Sequence, residues 1–531
     1  MAIADPVRQG LARGWRVIDA STLAHDVEQE CDVAIVGTGA GGGTAAEILA
    51  EAGLSVVLIE EGPLRSSSDF HMREREAYPE LYQESAARKT GDKAINILQG
   101  RCVGGGTTVN WTSAFRTPAA TLARWRSHHG VRGFDEASLA PWLARMEARL
   151  GVAPWTVAPN ANNAALARGA DALRVSHAPI SRNVRGCWNL GYCGLGCPTN
   201  AKQSMLVTTI PAALDRGATL FTRLRALRLV VARDRIATLE CAALAANGVD
   251  VAPWTVRVRA RAFVAAAGAI NTPALLLRSA LPDPHALVGK RTFLHPTVVS
   301  AATMAETIDA FAGAPQSVYS DQWLDVPPDG PVGYKLEAPP VHPILAAITL
   351  PDFGVAHAAR MAELPRWHVL IALLRDGFAG ASQGGVVRLR DDGSPLLDYP
   401  LDDYLWDGVR RAMTTMAELQ FAAGAREVVP VHARGFGYRS FAAARDAIAR
   451  FDLAPRRTPV VSAHVMGGAP FGSDSATSVV GEDGRHHEIA NLYVMDGSLF
   501  PTSIGANPQL SIFAIVARLA DGLARALRRA V

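Results

Sequence analysis

The chain has 531 residues, enough for two or three domains, each with its own core. Hydrophobic residues make up 49% and charged residues 19%, which is the composition of a globular protein and excludes a disordered tail. With 53 Lys and Arg against 50 Asp and Glu, the net charge of +3 gives no reason to invoke nucleic acid or an acidic membrane surface.

The opening segment MAIADPVRQGLARGWRVIDA has no apolar core and no cleavage signature, so no secretory signal is read. No stretch reaches the roughly 18 uninterrupted apolar residues of a spanning helix. The expectation is a cytoplasmic protein by default, periplasmic only if exported with a partner subunit. The 6 cysteines are too sparse for a disulfide framework, yet Cys187, Cys193 and Cys197 fall close together.

The first informative element is DVAIV at 32–36, an apolar run suited to a buried parallel strand. It leads into Gly37-Thr38-Gly39-Ala40-Gly41-Gly42, a helical stretch TAAEILAEAG, and a second strand SVVLI ending at Glu60 and Glu61. This order is the dinucleotide fingerprint. Gly37 makes the tight turn, Gly39 lets backbone approach a pyrophosphate, and Gly42 lets helix pack on strand. The helix N-terminus offers N–H groups to phosphates. Glu60 stands where a carboxylate accepts from an adenosine ribose, which suits FAD or NAD and disfavours NADP. Glu61 reads as a solvated neighbour.

Residues 100–116, GRCVGGGTTVNWTSAFR, bring three glycines together, leaving backbone open to a flat ligand. This stretch resembles the first signature of the glucose–methanol–choline (GMC) oxidoreductases, R-x-x-G-G-S-S-x-x-N. Arg101, Gly104, Gly105 and Asn110 match it; Thr107 replaces a serine conservatively, and Gly106 departs from the other. A second signature is similar to GAINTPALLLRS at 268–279, and VGKRTFLHP at 288–296 resembles a further family stretch, with His295 read as structural. The C-terminal part is the most specific: SAHVMGG at 462–468 looks like the family's active-site histidine segment. NLYVMDGSLFPTSIGANPQLSIFAIVARLADGL looks like its closing strand, Asp-Gly-Ser and final helix.

The resemblance implies an α/β protein with a discontinuous FAD-binding Rossmann-type domain and a second α+β substrate domain on an antiparallel sheet. The FAD domain would comprise 28–130, 200–300 and 455–531; the substrate domain would comprise 131–199, with the cysteine loop, and 301–454. Within the latter, GGVVRLRDDGSPLLDYPL predicts two strands about the turn Asp391–Pro395, followed by a helix from about Asp403 stopping at Gly424. The segment VHPILAAITLPDFGVAHAARMAE at 341–363 reads as core packing, as a lid or as a greasy substrate wall. The resemblance also implies FAD rather than NAD, with Arg101, Gly104, Gly105, Thr107, Asn110, Asp496, Gly497 and Pro508 at the flavin. His464 and Asn507 fall on the paired catalytic positions.

Oxidising an alcohol removes a hydroxyl proton and a carbon-bound hydride. No side chain accepts hydride, so a flavin must. The proton needs a base such as a partly desolvated imidazole, the role expected of His464. Asn507 is expected to donate its amide to the substrate oxygen, in a turn stiffened by Pro508 and opened by Gly505. His486 and His487, in a polar loop, read as solvent-facing.

The cysteine loop GCWNLGYCGLGCPTNAKQS at 186–204 is similar to two family subgroups. Cys193, Gly196, Cys197 and Lys202 suit the long-chain alcohol oxidases. Cys193, Cys197 and Pro198 suit dehydrogenases that hold a [3Fe–4S] cluster and pass electrons to a cytochrome. Three thiolates at Cys187, Cys193 and Cys197 suffice for such a cluster, but Trp188 stands where cluster-bearing members place an adjacent cysteine. A structural role and a zinc site are the other readings. Cys31, Cys102 and Cys241 read as packing, with covalent attachment of the flavin as the alternative for Cys102, beside the flavin-lining glycines. The functional expectation is FAD-dependent oxidation of a hydrophobic or aliphatic alcohol. The alternatives are a sugar or polyol dehydrogenase with a cluster and a cytochrome or small-subunit partner, and an FAD-containing lyase of the same fold.

Overall fold

The computed structural model describes residues 3–327, 330–380 and 382–529. Two eight-stranded sheets organise it, each with its own apolar core.

The first sheet carries the Gly37–Gly42 turn at the end of its strand Val27–Val36. Its order runs Arg16–Asp19, Thr219–Thr222, Val56–Ile59, Val27–Val36, Val251–Ala265, Arg235–Leu244, Leu224–Ala232, with Leu492–Val494 also paired to Val251–Ala265. The pairings from Arg16–Asp19 through Val251–Ala265, and that of Leu492–Val494, are parallel; the last two strands add an antiparallel extension. The strand Val27–Val36 shows why: burial alternates along its first residues, then Val33–Val36 are buried on both faces as a central parallel strand requires. Helices Ala40–Glu51 and Gln509–Arg529 pack together over this sheet, and Glu136–Leu150 lies against the latter.

The second sheet runs Ile95–Ile97, Val460–Ser462, Thr297–Thr303, Trp367–Leu374, Tyr334–Glu337, Val318–Trp323, Ala178–Pro179, with Glu427–Pro430 on Thr297–Thr303. All its pairings are antiparallel except Val460–Ser462 with Ile95–Ile97. Trp367–Leu374 is buried along its whole length, beneath helix Asp403–Ala422, which ends as Gly424 takes φ +95°. Strands Val386–Leu389 and Pro395–Asp398 pair as a separate hairpin about the expected turn. The segment 341–363 forms two short helices, Pro343–Thr349 and Gly354–Ala362, the second with no buried residue. The core-packing reading therefore does not hold for Gly354–Ala362. Among the described residues no helix is long and apolar enough to cross a membrane.

Candidate active site

The turn after Val27–Val36 is built by backbone that tolerates no side chain. Gly37 has φ +99°, and a Cβ there would lie 2.3 Å from the Ala266 carbonyl oxygen. A Cβ on Gly42 would lie 1.9 Å from the Gly37 carbonyl oxygen, so Gly42 serves helix–strand packing. Gly39 caps helix Ala40–Glu51 without a side-chain hydrogen bond, leaving its first N–H groups for a ligand. Glu60 is buried at the end of Val56–Ile59. It accepts from the Thr38 hydroxyl at 2.5 Å, the Thr38 N–H at 3.2 Å and the Gly62 N–H at 2.9 Å, while burial pushes its carboxyl up. Thr38, which sequence reasoning passed over, also accepts the Gly104 N–H at 3.0 Å. One hydroxyl thus joins the phosphate turn to the glycine segment.

Glu61 is not a solvated neighbour. It is half-buried and pairs with Arg101 at 3.3 Å and Arg225 at 3.0 Å, and these cations outweigh burial to hold its carboxyl below the usual range. Arg101 is thereby committed to Glu61 and to the Gly248 carbonyl. Gly104 and Gly105 take φ +87° and +51°. The Thr107 hydroxyl donates to the Gly104 carbonyl at 2.6 Å and accepts from the Met205 N–H at 3.0 Å. Asn110 donates to Gln509 at 2.8 Å. Asp496 spends its carboxylate on the backbone and hydroxyls of Gly268, Thr272 and Ser498 at 2.5–2.8 Å, fixing the turn that presents Gly497.

These elements enclose one cavity of about 1470 Å³, above the roughly 300–1,000 Å³ of ordinary ligand pockets. Gly37, Gly39, Glu60, Arg101, Gly105, Thr107, Asn110, Asp496, Gly497 and Pro508 line it; Gly42 and Gly104 stand behind the lining. His464 and Asn507 line it too, so the structure brings the histidine–asparagine pair and the nucleotide turn into one space. One part of its remaining wall is apolar, formed by Val299, Val369, Ile371 and Leu373 from the second sheet and Ile344, Leu345 and Ile348 from helix Pro343–Thr349, while charged and polar side chains such as Arg88, Lys89, Gln99 and Arg278 line other parts.

His295 was expected to be structural, and its ring instead faces His464, Nδ1 to Nδ1 at 3.0 Å, while its Nε2 accepts the Gly505 N–H at 3.2 Å. Since Nε2 accepts, the His295 ring proton lies on Nδ1. His464 Nδ1 must then accept, and His464 carries its own proton on Nε2. Nε2 has no hydrogen-bond partner among the described residues. Burial, then the nearby Lys335 ammonium, brings His464 down to about 3; burial and the neighbouring charges of His464 and Lys335 also hold His295 well below its ordinary value.

The Asn507 amide donates to Glu337 Oε2 at 3.4 Å, and its Oδ1 is buried without a partner. Glu337 also accepts from Gln316, and Lys335 lies 3.8 Å from its other oxygen. Lys335, in turn, sits over the Phe115 and Tyr319 rings. Sequence reasoning missed this buried pair, whose signal is two charges two apart in the otherwise buried strand Tyr334–Glu337. His486 is likewise not solvent-facing but buried, accepting the Glu488 N–H at 3.1 Å; His487 bonds Ser478 at 2.9 Å.

The cysteine expectation needs correction. Among the described residues no group of three or more His, Cys, Asp and Glu side chains is arranged to hold a metal ion, so a [3Fe–4S] cluster finds no support. The thiols border one small crevice but face separate partners. Cys187 accepts the Asn189 N–H at 3.4 Å, Cys193 takes Arg182 at 3.7 Å, and Cys197 meets Thr199 at 3.4 Å. What binds the loop is Lys202, buried, its ammonium donating to the carbonyls of Thr108, Asn110 and Cys193 at 2.5–3.0 Å. Burial lowers it to about 8. Lys202→Met leaves three buried carbonyls unpaired, and should cost about 2–4 kcal/mol in urea unfolding of the holoprotein; an unchanged midpoint would mean the loop is held otherwise.

A dinucleotide cradle opening onto a histidine–asparagine pair defines a flavin-dependent oxidoreductase architecture. The chain belongs to the GMC oxidoreductases: the N-terminal family profile matches residues 78–297 and the C-terminal one residues 381–516. It is 30% identical to the uncharacterized GMC-type oxidoreductase y4nJ of Sinorhizobium fredii, over 94% of this chain and 96% of that one. It is 26% identical to the long-chain-alcohol oxidase FAO1 of Arabidopsis thaliana, over 94% of this chain and 67% of the other. Among solved structures, pyridoxine 4-oxidase from Mesorbium loti superposes with a TM-score of 0.69 at 18% identity, covering 93% of this chain and 99% of that one. The family carries FAD, and the uncapped helix end, the side-chain-free turn and the size of the cavity fit that cofactor.

Proposed function

We propose that this protein is an FAD-dependent oxidoreductase acting on the CH–OH group of a hydrophobic or aliphatic alcohol. The observation that carries this reading is that one cavity unites the nucleotide cradle, His464 and Asn507, and an apolar wall. When bound, FAD supplies the hydride acceptor that no side chain provides. Gly37, Gly39 and Glu60 would hold its adenosine and pyrophosphate end, and Gly105, Thr107, Asn110, Gly497 and Pro508 would hold its ring end.

Asn507, held by Glu337 through its Nδ2, leaves Oδ1 as its uncommitted atom. The substrate hydroxyl therefore docks by donating to Asn507, reversing the direction expected from the sequence, while accepting from His464 Nε2. Proton removal by His464 uses the opposite tautomer, in which His464 Nδ1 donates to His295; this forfeits the Gly505–His295 bond, about 1 kcal/mol. His295 is thus a positioning residue.

The test is anaerobic mixing of the holoenzyme with primary alcohols of increasing chain length. Bleaching of the flavin that strengthens with chain length is expected; bleaching by no alcohol would sink the reading and favour a lyase. The pH dependence follows from the lowered His464. A base held at about 3 stays neutral as the medium is acidified and loses its proton-accepting form only as pH falls toward that value. Flavin reduction should accordingly show no loss from this group between about pH 8 and about pH 5. An acid limb centred near the ordinary histidine value, abolished by His464→Gln, would refute the neutral pair.

A further inference from the structure

Behind the segment that carries Asn507 lies a group of three arginines whose only carboxylate partner among the described residues is the exposed Asp325. Arg375 follows strand Trp367–Leu374 and is 4% exposed. It donates to Thr121 Oγ1 at 3.3 Å and to the outward-facing Asp325 at 2.9 Å, and its guanidinium carbon lies 3.6 Å from the Phe378 ring centre. Arg124, one turn beyond Thr121 on helix Ala119–His129, meets the same ring at 5.5 Å, so the two guanidinium groups share one aromatic platform. Arg124 is half-buried, and among the described residues it has neither a hydrogen bond nor an ion pair. Arg291, before strand Thr292–Leu294, reaches the Pro501 carbonyl at 3.2 Å and has no ion pair among the described residues. Trp125, beside Arg124, donates to Thr502, the residue after Pro501, at 2.7 Å.

The Nε atoms of Arg124, Arg291 and Arg375 and the Nε2 of His129 are all buried without a partner. Asp376, a buried carboxylate that neighbours Arg291, is committed to the Gly377 N–H and the Ser382 and Tyr399 hydroxyls. Buried charges in folded proteins are paired, and guanidinium forks match tetrahedral oxyanions. We propose that Arg124, Arg291 and Arg375 form a binding site for a phosphate-class oxyanion, separate from the flavin cavity and packed behind the 501–507 segment. None of the three lines that cavity, whereas Arg375 backs directly on Gly505, where a Cβ would lie 3.0 Å from its side chain. Burial lowers both Arg291 and Arg375, and the Arg124 charge lowers each further while Asp325 raises Arg375, which puts Arg124 near both.

The experiment is thermal unfolding of the FAD-loaded enzyme titrated with sodium phosphate, against sodium chloride at equal ionic strength and against glycerol phosphate. The expected result is a saturable rise in Tm of about 2–4 °C with phosphate beyond the chloride control. The rise should vanish in both Arg124→Gln and Arg291→Gln and persist in Arg126→Gln, an exposed arginine of the same helix. A half-saturation lower with glycerol phosphate than with phosphate would identify a phosphate ester as occupant; the reverse would identify the free ion. No rise beyond chloride, or one that survives in both arginine variants, would overturn the site.

Discussion

Replacing His464 with alanine is expected to leave FAD bound and to lower the anaerobic rate of flavin reduction by alcohol by about 10²–10⁴-fold, the span of general acid–base catalysis. His464 lines the same cavity as Asn507, and among the described residues it hydrogen-bonds its fold partners only through Nδ1 and its backbone carbonyl. Its loss therefore frees His295 Nδ1 and removes the cavity-side Nε2 without touching the glycine turn. The measurement is stopped-flow bleaching of the flavin, beside the absorbance ratio that reports cofactor content. Unchanged bleaching in a fully loaded variant would remove His464 from proton transfer. Asn507→Ala separates the two roles: weaker alcohol binding with a smaller loss of maximal rate is expected of a group that docks the hydroxyl.

The second large effect concerns the cradle. Gly37→Ala should yield protein purified without colour. At φ +99° an alanine costs about 1–2 kcal/mol, and its Cβ meets the Ala266 carbonyl at 2.3 Å, so the turn must move. A shift that costs about 3 kcal/mol of binding lowers FAD affinity on the order of 10²-fold. Gly39→Ala is the matching control, because there the nearest protein atom to a new Cβ is the Gly105 Cα at 3.9 Å. Loss of FAD in Gly39→Ala reports contact with the cofactor, whereas loss in Gly37→Ala reports the turn. A yellow, fully loaded Gly37→Ala protein would show that the turn yields more easily than its carbonyl contact implies.

The cradle was legible in the sequence because its chemistry demands glycines at fixed spacing, next to a strand and a helix that are themselves local patterns. The family signatures picked out Arg101, Gly105, Thr107, Asn110, His464 and Asn507, which line one cavity with the glycine turn. What stayed hidden was pairing across the fold. Glu337 and Lys335 are unremarkable in YKLE until strand Tyr334–Glu337 turns them toward Gln316 and Asn507. His295 looked structural because nothing near it in sequence shows that Gly505 and His464 flank its ring. Glu61 and His486 looked solvated for want of the distant Arg101, Arg225 and Leu492 that enclose them. The cysteines misled in the opposite sense: close spacing suggested a ligand set, whereas each sulfur takes its own partner, Asn189, Arg182 or Thr199.

The first sheet takes Val27–Val36 from near the start of the chain, Val251–Ala265 from its middle and Leu492–Val494 from near its end. On the ribosome, Val251–Ala265 must therefore wait for its last parallel neighbour while more than two hundred further residues are made, at roughly 5–20 residues per second. During that interval a strongly apolar edge lies open, and the final helix Gln509–Arg529, which covers helix Ala40–Glu51, has not yet left the exit tunnel. Nascent chains of this protein should accordingly be held by chaperones until release, and early termination before residue 492 should send them to proteolysis rather than to a folded half.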